Sequence, residues 1–312
     1  MAVRQLRRPA CGRTGFLIAL VVLVSACGDD DSGFQVSPPA RVAVLSAFPA
    51  EMAPVLAQAT VQDTAMVNGH VFRIGTLSGV RVMIGLTGIG LVNAQTTTHA
   101  LLDQFSVAGI VVSAVAGSPR QIGDVTVPMT WELADNTTYD ADPGWLALAS
   151  EIAASGSVAL ERCAVVPTDL SAQPVCMLDP PAIVVGGIGL STDPFGGMAF
   201  ACTPGGDDVF GCDLPSSDTA SASGAEHAAA SLSPLDTPTP VANDMETAAI
   251  AREAVARGVR FIAFRAVSDG SPDPLGLQGF LPQFFAYYHF AAGNAAAATQ
   301  AFLQRIAAGG GA

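Results

Sequence analysis

The chain has 312 residues, half of them apolar and 13% charged, a composition that excludes an intrinsically disordered protein and suits one large globular domain with extras. It contains no lysine. Four of its 14 arginines (Arg4, Arg7, Arg8 and Arg13) precede residue 27, and all 27 acidic residues follow it. The body is therefore strongly acidic, which argues against nucleic acid or an anionic membrane surface as partners and is indifferent to a small uncharged ligand.

The N-terminal arginines are followed by an apolar run, Phe16 to Val24, and then Ser25-Ala26-Cys27. The run falls within the roughly 7–15 residues of a signal-peptide core and short of the ~20 that span a bilayer. Val24-Ser25-Ala26-Cys27 resembles the lipobox of bacterial lipoproteins. That resemblance implies a signal over residues 1–27, a lipid on Cys27 that ties the chain to a membrane, and export to a periplasmic or extracellular face. An ordinary secretory signal cut nearby is the alternative. Gly28, where an aspartate would mark inner-membrane retention, gives no such signal. Residues 28–40 read as a polar, Pro-containing tether, and 41–312 as the folded domain.

Strand Arg41–Ala47 runs into a turn at Phe48-Pro49 and a helix with Glu51 in its first turn. Val71–Leu77 and Val80–Leu86 read as two strands joined at Ser78-Gly79. Thr87-Gly88-Ile89-Gly90 makes a tight turn into a helix, Val92–Gln104. Ile110–Ala114 is a continuous apolar strand of the kind covered on both faces. Val125–Thr130 is another strand, Trp145–Ala154 a helix, and Ala182–Leu190 a strand. A final helix spans about Pro282–Ile306; its aromatic residues, Phe280 to Phe290, are expected mainly in the core.

Between about 160 and 240 the sequence is rich in Gly, Pro, Ser and Asp, and residues 196–240 read as a surface excursion. Cys163, Cys176, Cys202 and Cys212 all fall in this region, at no zinc spacing. Two disulfides, with three possible pairings, are expected there, each stabilising by ~2–4 kcal/mol in an oxidising compartment. Order returns with a helix over 245–257 and a strand over 259–267. Strands alternating with helices give an α/β fold, a three-layer sandwich around a mostly parallel or mixed sheet. The four histidines stand at no metal spacing, and no metal or cofactor is expected.

Two segments near the C-terminus carry the chemistry. Asp244-Met245-Glu246-Thr247-Ala248-Ala249-Ile250-Ala251 opens a small-residue helix, and Phe261 to Val267 is an apolar strand running out into Ser268-Asp269. In open α/β sheets ligands gather beyond the carboxyl ends of strands. The pairing resembles the purine nucleoside phosphorylase/uridine phosphorylase superfamily, and within it the methylthioadenosine/S-adenosylhomocysteine nucleosidases. The likeness covers roughly residues 41–135 and 182–305, in order, and implies a nucleoside phosphorylase-like fold, cleavage of a purine nucleoside, and a homodimer.

Cleaving an N-glycosidic bond requires a protonated leaving base, a sugar held by its hydroxyls as it gains positive charge, and a nucleophile on the opposite face. By the resemblance Asp269 is the general acid, oriented by Ser268, and Glu246 clamps the ribose with Met245 against the sugar. Glu51, in Ser46-Ala47-Phe48-Pro49-Ala50-Glu51, holds the water. Each acid has a plain alternative, as a turn cap for Asp269 and as a first-turn glutamate favoured by the helix dipole for the other two. Thr87 and Gly88 offer a hydroxyl and backbone amides for an anion or water. Leu190-Ser191-Thr192-Asp193-Pro194-Phe195 resembles the family's base-binding loop, which makes Phe195 the ring for the purine. The segment Ser113-Ala114-Val115-Ala116-Gly117-Ser118 departs from the family's Gly-Ser-Ala-Gly-Gly order. A phosphorylase needs arginines on the first loop, which has none, so hydrolysis is favoured. Phosphorolysis, or a lipoprotein that binds a nucleoside without cleaving it, are the alternatives.

Overall fold

Alternation along three neighbouring strands sorts the core into two faces. Val42, Val44, Val111, Val115, Ile262, Phe264 and Ala266 point one way, while Ala43, Leu45, Ile110, Val112, Ala114, Phe261 and Ala263 point the other. The period of two, with both faces apolar, requires helices above and below. The computed structural model describes residues 40–166, 174–214 and 240–309; the expected signal, Cys27 and the tether up to residue 39 lie outside these, as do residues 215–239 of the expected excursion.

The elements in chain order are β1 (Arg41–Ser46), α1 (Pro49–Leu56), β2 (Thr60–Val67), β3 (His70–Leu77), β4 (Val80–Leu86), α2 (Leu91–Gln104), β5 (Val107–Gly117), β6 (Val125–Val127), β7 (Thr130–Leu133) and β8 (Thr138–Asp140). There follow α3 (Pro143–Ser155), β9 (Cys163–Val165), β10 (Pro174–Cys176), β11 (Ile183–Val185), β12 (Ile188–Ser191), β13 (Ala242–Asp244), α4 (Thr247–Ala256), β14 (Arg260–Asp269) and α5 (Phe280–Ala307). Twelve strands form one mixed sheet. At its centre β4, β1, β5 and β14 run parallel in that order. Helices α1, α3 and α5 pack on one face with the first set of side chains, and α2 and α4 on the other, so the expected three-layer α/β sandwich is what forms. Ala248, Ala249, Ala251 and Ala254 are almost wholly buried. Their small side chains let α4 lie close to the sheet.

The structure corrects and adds to the sequence reading at several points. Strand β2 is new; most of its side chains are exposed, so it lacks the apolar alternation that reveals a strand. Val125–Thr130 is two strands, because Pro128 cannot continue the ladder between β6 and β7. Ala182–Leu190 also divides, at Gly186-Gly187, both with positive φ. The cysteines resolve into Cys163–Cys176, directly opposed on the β9–β10 hairpin, and Cys202–Cys212. The described start of the excursion is more than a surface loop, since Val209 and Leu214 are buried in the core on the α1/α5 side.

Candidate active site

The carboxyl end of β5 is where the acids meet. Glu51, in the first turn of α1, is 1% exposed. Its Oε1 accepts from the Val115 amide at 2.8 Å, and its Oε2 from the amides of Ala47 at 2.7 Å and Phe48 at 3.4 Å. Pro49 at the start of α1 and an extended Phe48 before it turn the chain so that the glutamate folds back over β1 toward β5. Burial raises its pKa to about 7; the Arg265 guanidinium and the backbone amides oppose the rise, and Glu246 adds to it.

Glu246 occupies the residue just before α4 rather than its first turn. Its Oε1 accepts from the Gly90 amide at 2.9 Å, and its Oε2 faces Arg265 Nη2 at 3.4 Å. Burial raises this carboxyl too, to about 6, against the pull of Arg265. Both oxygens keep lone pairs for further donors, as a vicinal diol would supply. Met245 beside it is half-buried.

Asp269 closes β14. A bulge falls between Val267 and Asp269, where both residues pair along β5 and Ser268 is left out. The bulge sets Ser268 and Asp269 side by side, with Ser268 Oγ donating to Asp269 Oδ1 at 2.9 Å. The carboxyl lies against the α-carbon of Gly117; a Cβ there would stand 2.5 Å from Oδ2. Only glycine leaves that space. Burial raises Asp269 to about 6, and the Ser268 hydrogen bond partly offsets this. Glu51 on Val115 and Asp269 on Gly117 are thus anchored two residues apart on one strand, ~7 Å along it.

Arg265, which the sequence reading passed over, joins the group. It is 1% exposed. Its Nη2 lies 2.8 Å from Asp244 Oδ2, its Nη1 3.8 Å from Glu51 Oε1, and its Nη1 donates to the Val115 carbonyl at 2.9 Å. Nε donates to Thr247 Oγ1 at 2.9 Å. Burial alone would lower its pKa, but Asp244, Glu246 and Glu51 together hold it above the ordinary value. Asp244 was likewise missed. It accepts from the hydroxyls of Ser191 and Thr247 and, at 3.2 Å, from the amides of Glu246 and Thr247, and so fixes the entry to α4. The available signal was a single charge, Arg265, in an otherwise apolar strand, with an aspartate two residues before Glu246.

The remaining candidates stand at the edge. Thr87 is fully buried and its hydroxyl lies 3.2 Å from the Ser46 carbonyl and 3.0 Å from that of Gly88, so it braces the turn internally instead of offering a free donor. The amide of the glycine turn that touches the site is that of Gly90, not Gly88. Phe195 is held by Asp193, whose Oδ1 accepts from its amide at 2.9 Å. Its ring lies over Gly90 and meets Phe200 with centroids 4.8 Å apart. Phe48 packs edge-on against Phe284 of α5 at 5.9 Å, which draws the late aromatic helix to the first loop.

A mixed sheet between two helical layers, with its acids collected beyond the strand ends, is an arrangement that the nucleoside phosphorylase and nucleosidase class of α/β proteins shares. Residues 41–169 match the phosphorylase superfamily, and the chain belongs to that superfamily. Its fold is that of the methylthioadenosine/S-adenosylhomocysteine nucleosidases. The Neisseria meningitidis enzyme of that name, in complex with methylthio-immucillin-A, superposes with a TM-score of 0.58 at 19% identity over 84% of this chain and 98% of its own. The Colwellia psychrerythraea nucleosidase with adenine gives 0.57 at 20% over 87% and 98%, and futalosine hydrolase of Helicobacter pylori 0.57 at 17% over 85% and 98%. By sequence, the uncharacterized protein Rv2293c of Mycobacterium tuberculosis is 37% identical over 193 residues, 54% of this chain and 75% of that protein.

Proposed function

We propose that the protein hydrolyses the N-glycosidic bond of an adenine nucleoside carrying a 5′-thio substituent, of the methylthioadenosine or S-adenosylhomocysteine type. The observation that carries this reading is that Glu51 and Glu246 meet at Arg265, which donates to the Val115 carbonyl of β5, while Asp269 lies two residues further along that strand against Gly117, each carboxyl with its pKa raised by burial. Asp269, held partly protonated near neutrality, delivers a proton to the leaving base, and Ser268 orients it. Glu246 takes the ribose hydroxyls and gains strength as the sugar becomes cationic. Glu51, with Arg265 beside it, holds the attacking water, and its raised pKa suits it to accept a proton. Phe195 offers a ring face at the edge of the site for the base.

Water is favoured over phosphate by the charges present. Ser46-Ala47-Phe48-Pro49 carries no cation, and Arg81 is exposed on β4. Arg120 is paired with Asp124 at 3.1 Å. Arg265 is already matched by Asp244, Glu246 and Glu51, so none of these three described arginines is placed to neutralise a dianion. Adenine should therefore appear from methylthioadenosine in phosphate-free buffer at the same rate as with phosphate. Release only with phosphate, or none at all, would overturn the assignment.

The pH dependence follows from the two proton-transferring groups. Asp269, at about 6, must keep its proton; Glu51, at about 7, must have lost its own. Activity is lost on the alkaline side as Asp269 ionises and on the acid side as Glu51 is protonated. A plot of kcat/KM against pH is expected to be a narrow bell between about 6 and 7, its limbs belonging to the coupled group rather than to either residue. A flat profile from pH 5 to 8 would contradict these roles.

The Cys27 lipid anchor, export, and a layout of signal, tether and domain remain part of this proposal. It is supported by the apolar run before Cys27 and by the two disulfides of the domain, Cys163–Cys176 and Cys202–Cys212, which suit an oxidising compartment.

A further inference from the structure

The segment Phe200 to Leu214, closed on itself by Cys202–Cys212, does not trail over the surface. The carbonyl of Asp208 accepts from the Ala50 amide at 2.7 Å, one residue before Glu51. The Asp208 carboxylate accepts from the Tyr288 hydroxyl at 3.2 Å and pairs with His289 Nε2 at 2.8 Å on α5. The Phe200 carbonyl accepts from Asn93 Nδ2 of α2 at 2.6 Å. Phe210 lies 6.1 Å from Phe200, which continues the row begun by Phe195. The loop is therefore fastened to α1, α2 and α5, which surround the site.

Beneath it lies a cavity of about 10 Å³ lined by Ala47, Leu86, Ile89, Phe200, Val209 and Phe210, together with the disulfide, room for about one water. His70 also lines this cavity, but among the described residues no carboxylate and no arginine does. The cavity stands over the ends of β1 and β4. Asp269 ends β14, and the order β4-β1-β5-β14 puts two to three strand spacings between them, roughly 10–14 Å. With the base at Asp269 and the ribose at Glu246 and Glu51, the part of the substrate that reaches this cavity is its end remote from the base nitrogen, the 5′ substituent.

We infer that this disulfide-closed loop is a cap, supplied by the same chain, that selects nucleosides with a compact apolar 5′ group. The inference rests on the nucleosidase reading above. A methylthio group is larger than the one water this cavity holds, so it enters only as the Phe200 and Phe210 side chains turn aside, and a homocysteinyl chain needs a much wider opening. A homocysteinyl chain brings an ammonium and a carboxylate into a lining whose described residues offer His70 but no acid, so its ammonium has no partner there, and an unpaired buried charge is strongly disfavoured.

The test compares adenine release from methylthioadenosine and from S-adenosylhomocysteine by the wild type, Phe210→Ala, and the double variant Cys202→Ser/Cys212→Ser. The wild type is expected to prefer methylthioadenosine in kcat/KM by roughly tenfold or more. Each variant should raise KM for methylthioadenosine several-fold and bring the ratio toward one. Phe210→Ala keeps the disulfide, so it decides the matter if the double variant does not fold. Equal kcat/KM for both nucleosides in the wild type, or a ratio unchanged in the folded variants, would overturn the cap while leaving the nucleosidase reading intact. Adenine from neither nucleoside would remove both.

Discussion

Asp269→Asn is expected to lower kcat by about 10²–10⁴-fold, the usual contribution of a positioned general acid, with nucleoside affinity kept within a few-fold. Asparagine fills the same volume over Gly117 and still accepts from Ser268, so the seat on β5 survives. It loses the transferable proton. The cause of that proton's availability near neutrality is burial, which raises the carboxyl to about 6 from its ordinary 3.8. The same shift fixes the sign of a stability effect. A carboxyl whose pKa is higher in the folded state binds more protons there, so its contribution to stability falls as pH rises from 3.8 to about 6. At pH 8 the wild type bears this cost and the asparagine variant does not. Its Tm at pH 8 should equal or exceed that of the wild type while turnover is lost, the mark of a group kept for chemistry at the expense of stability. Adenine release, calorimetric binding of methylthioadenosine and melting at pH 5 and 8 give the three readouts. Turnover within about threefold of wild type would rule out Asp269 as the acid. Unchanged binding with no turnover in the wild type itself would mean a nucleoside-binding protein.

The parts of the site legible in the sequence are those whose local pattern is unusual. An acid at the end of an apolar strand, a Met-Glu pair opening an alanine-rich helix and a glutamate after a proline turn each stand out from their surroundings. The central strands were legible for the same reason, because residues buried on two faces give unbroken apolar runs. Arg265 was not recognised because a lone arginine in a strand reads equally as an edge residue; only the fold shows that Asp244, Glu246 and Glu51 close around it. Thr87 read as a free hydroxyl because its acceptor, the Ser46 carbonyl, is 41 residues away. The cap was illegible for a stronger reason. Its segment has no period, and its fastening depends on contacts such as Ala50 with Asp208, between residues far apart in the chain. Three disulfide pairings were open until the β9–β10 hairpin set Cys163 opposite Cys176.

Arg265→Met should be the most destabilising substitution in the site, costing about 3–5 kcal/mol at pH 8, because it strips the counter-ion from a buried acidic cluster. Methionine fills much of the space but replaces none of the hydrogen bonds to Thr247 Oγ1 and the Val115 carbonyl. The loss should depend on pH. Glu51 and Glu246 are held at about 7 and about 6 against an ordinary 4.5, so between 4.5 and those values the folded state carries the extra protons and stability falls as pH rises. Arg265 opposes both shifts. Without it the two pKa values move further up, the fall steepens, and it continues beyond pH 7. At pH 5 the two glutamates are largely neutral in either protein, and the difference from wild type should shrink to the lost hydrogen bonds and the lost Asp244 ion pair. With about 2–4 °C per kcal/mol for a chain of this size, the Tm difference should widen to roughly 10 °C at pH 8. A difference that is the same at both pH values would show that Arg265 does not act by countering the charge of Glu51 and Glu246. Arg265→Lys separates the two contributions further: the charge stays, but one ammonium cannot reach Asp244, Thr247 and Val115 as the planar fork does. Its pH dependence should resemble the wild type, and its turnover should still fall, because Glu51, proposed to hold the water, loses the neighbour that fixes its charge and position.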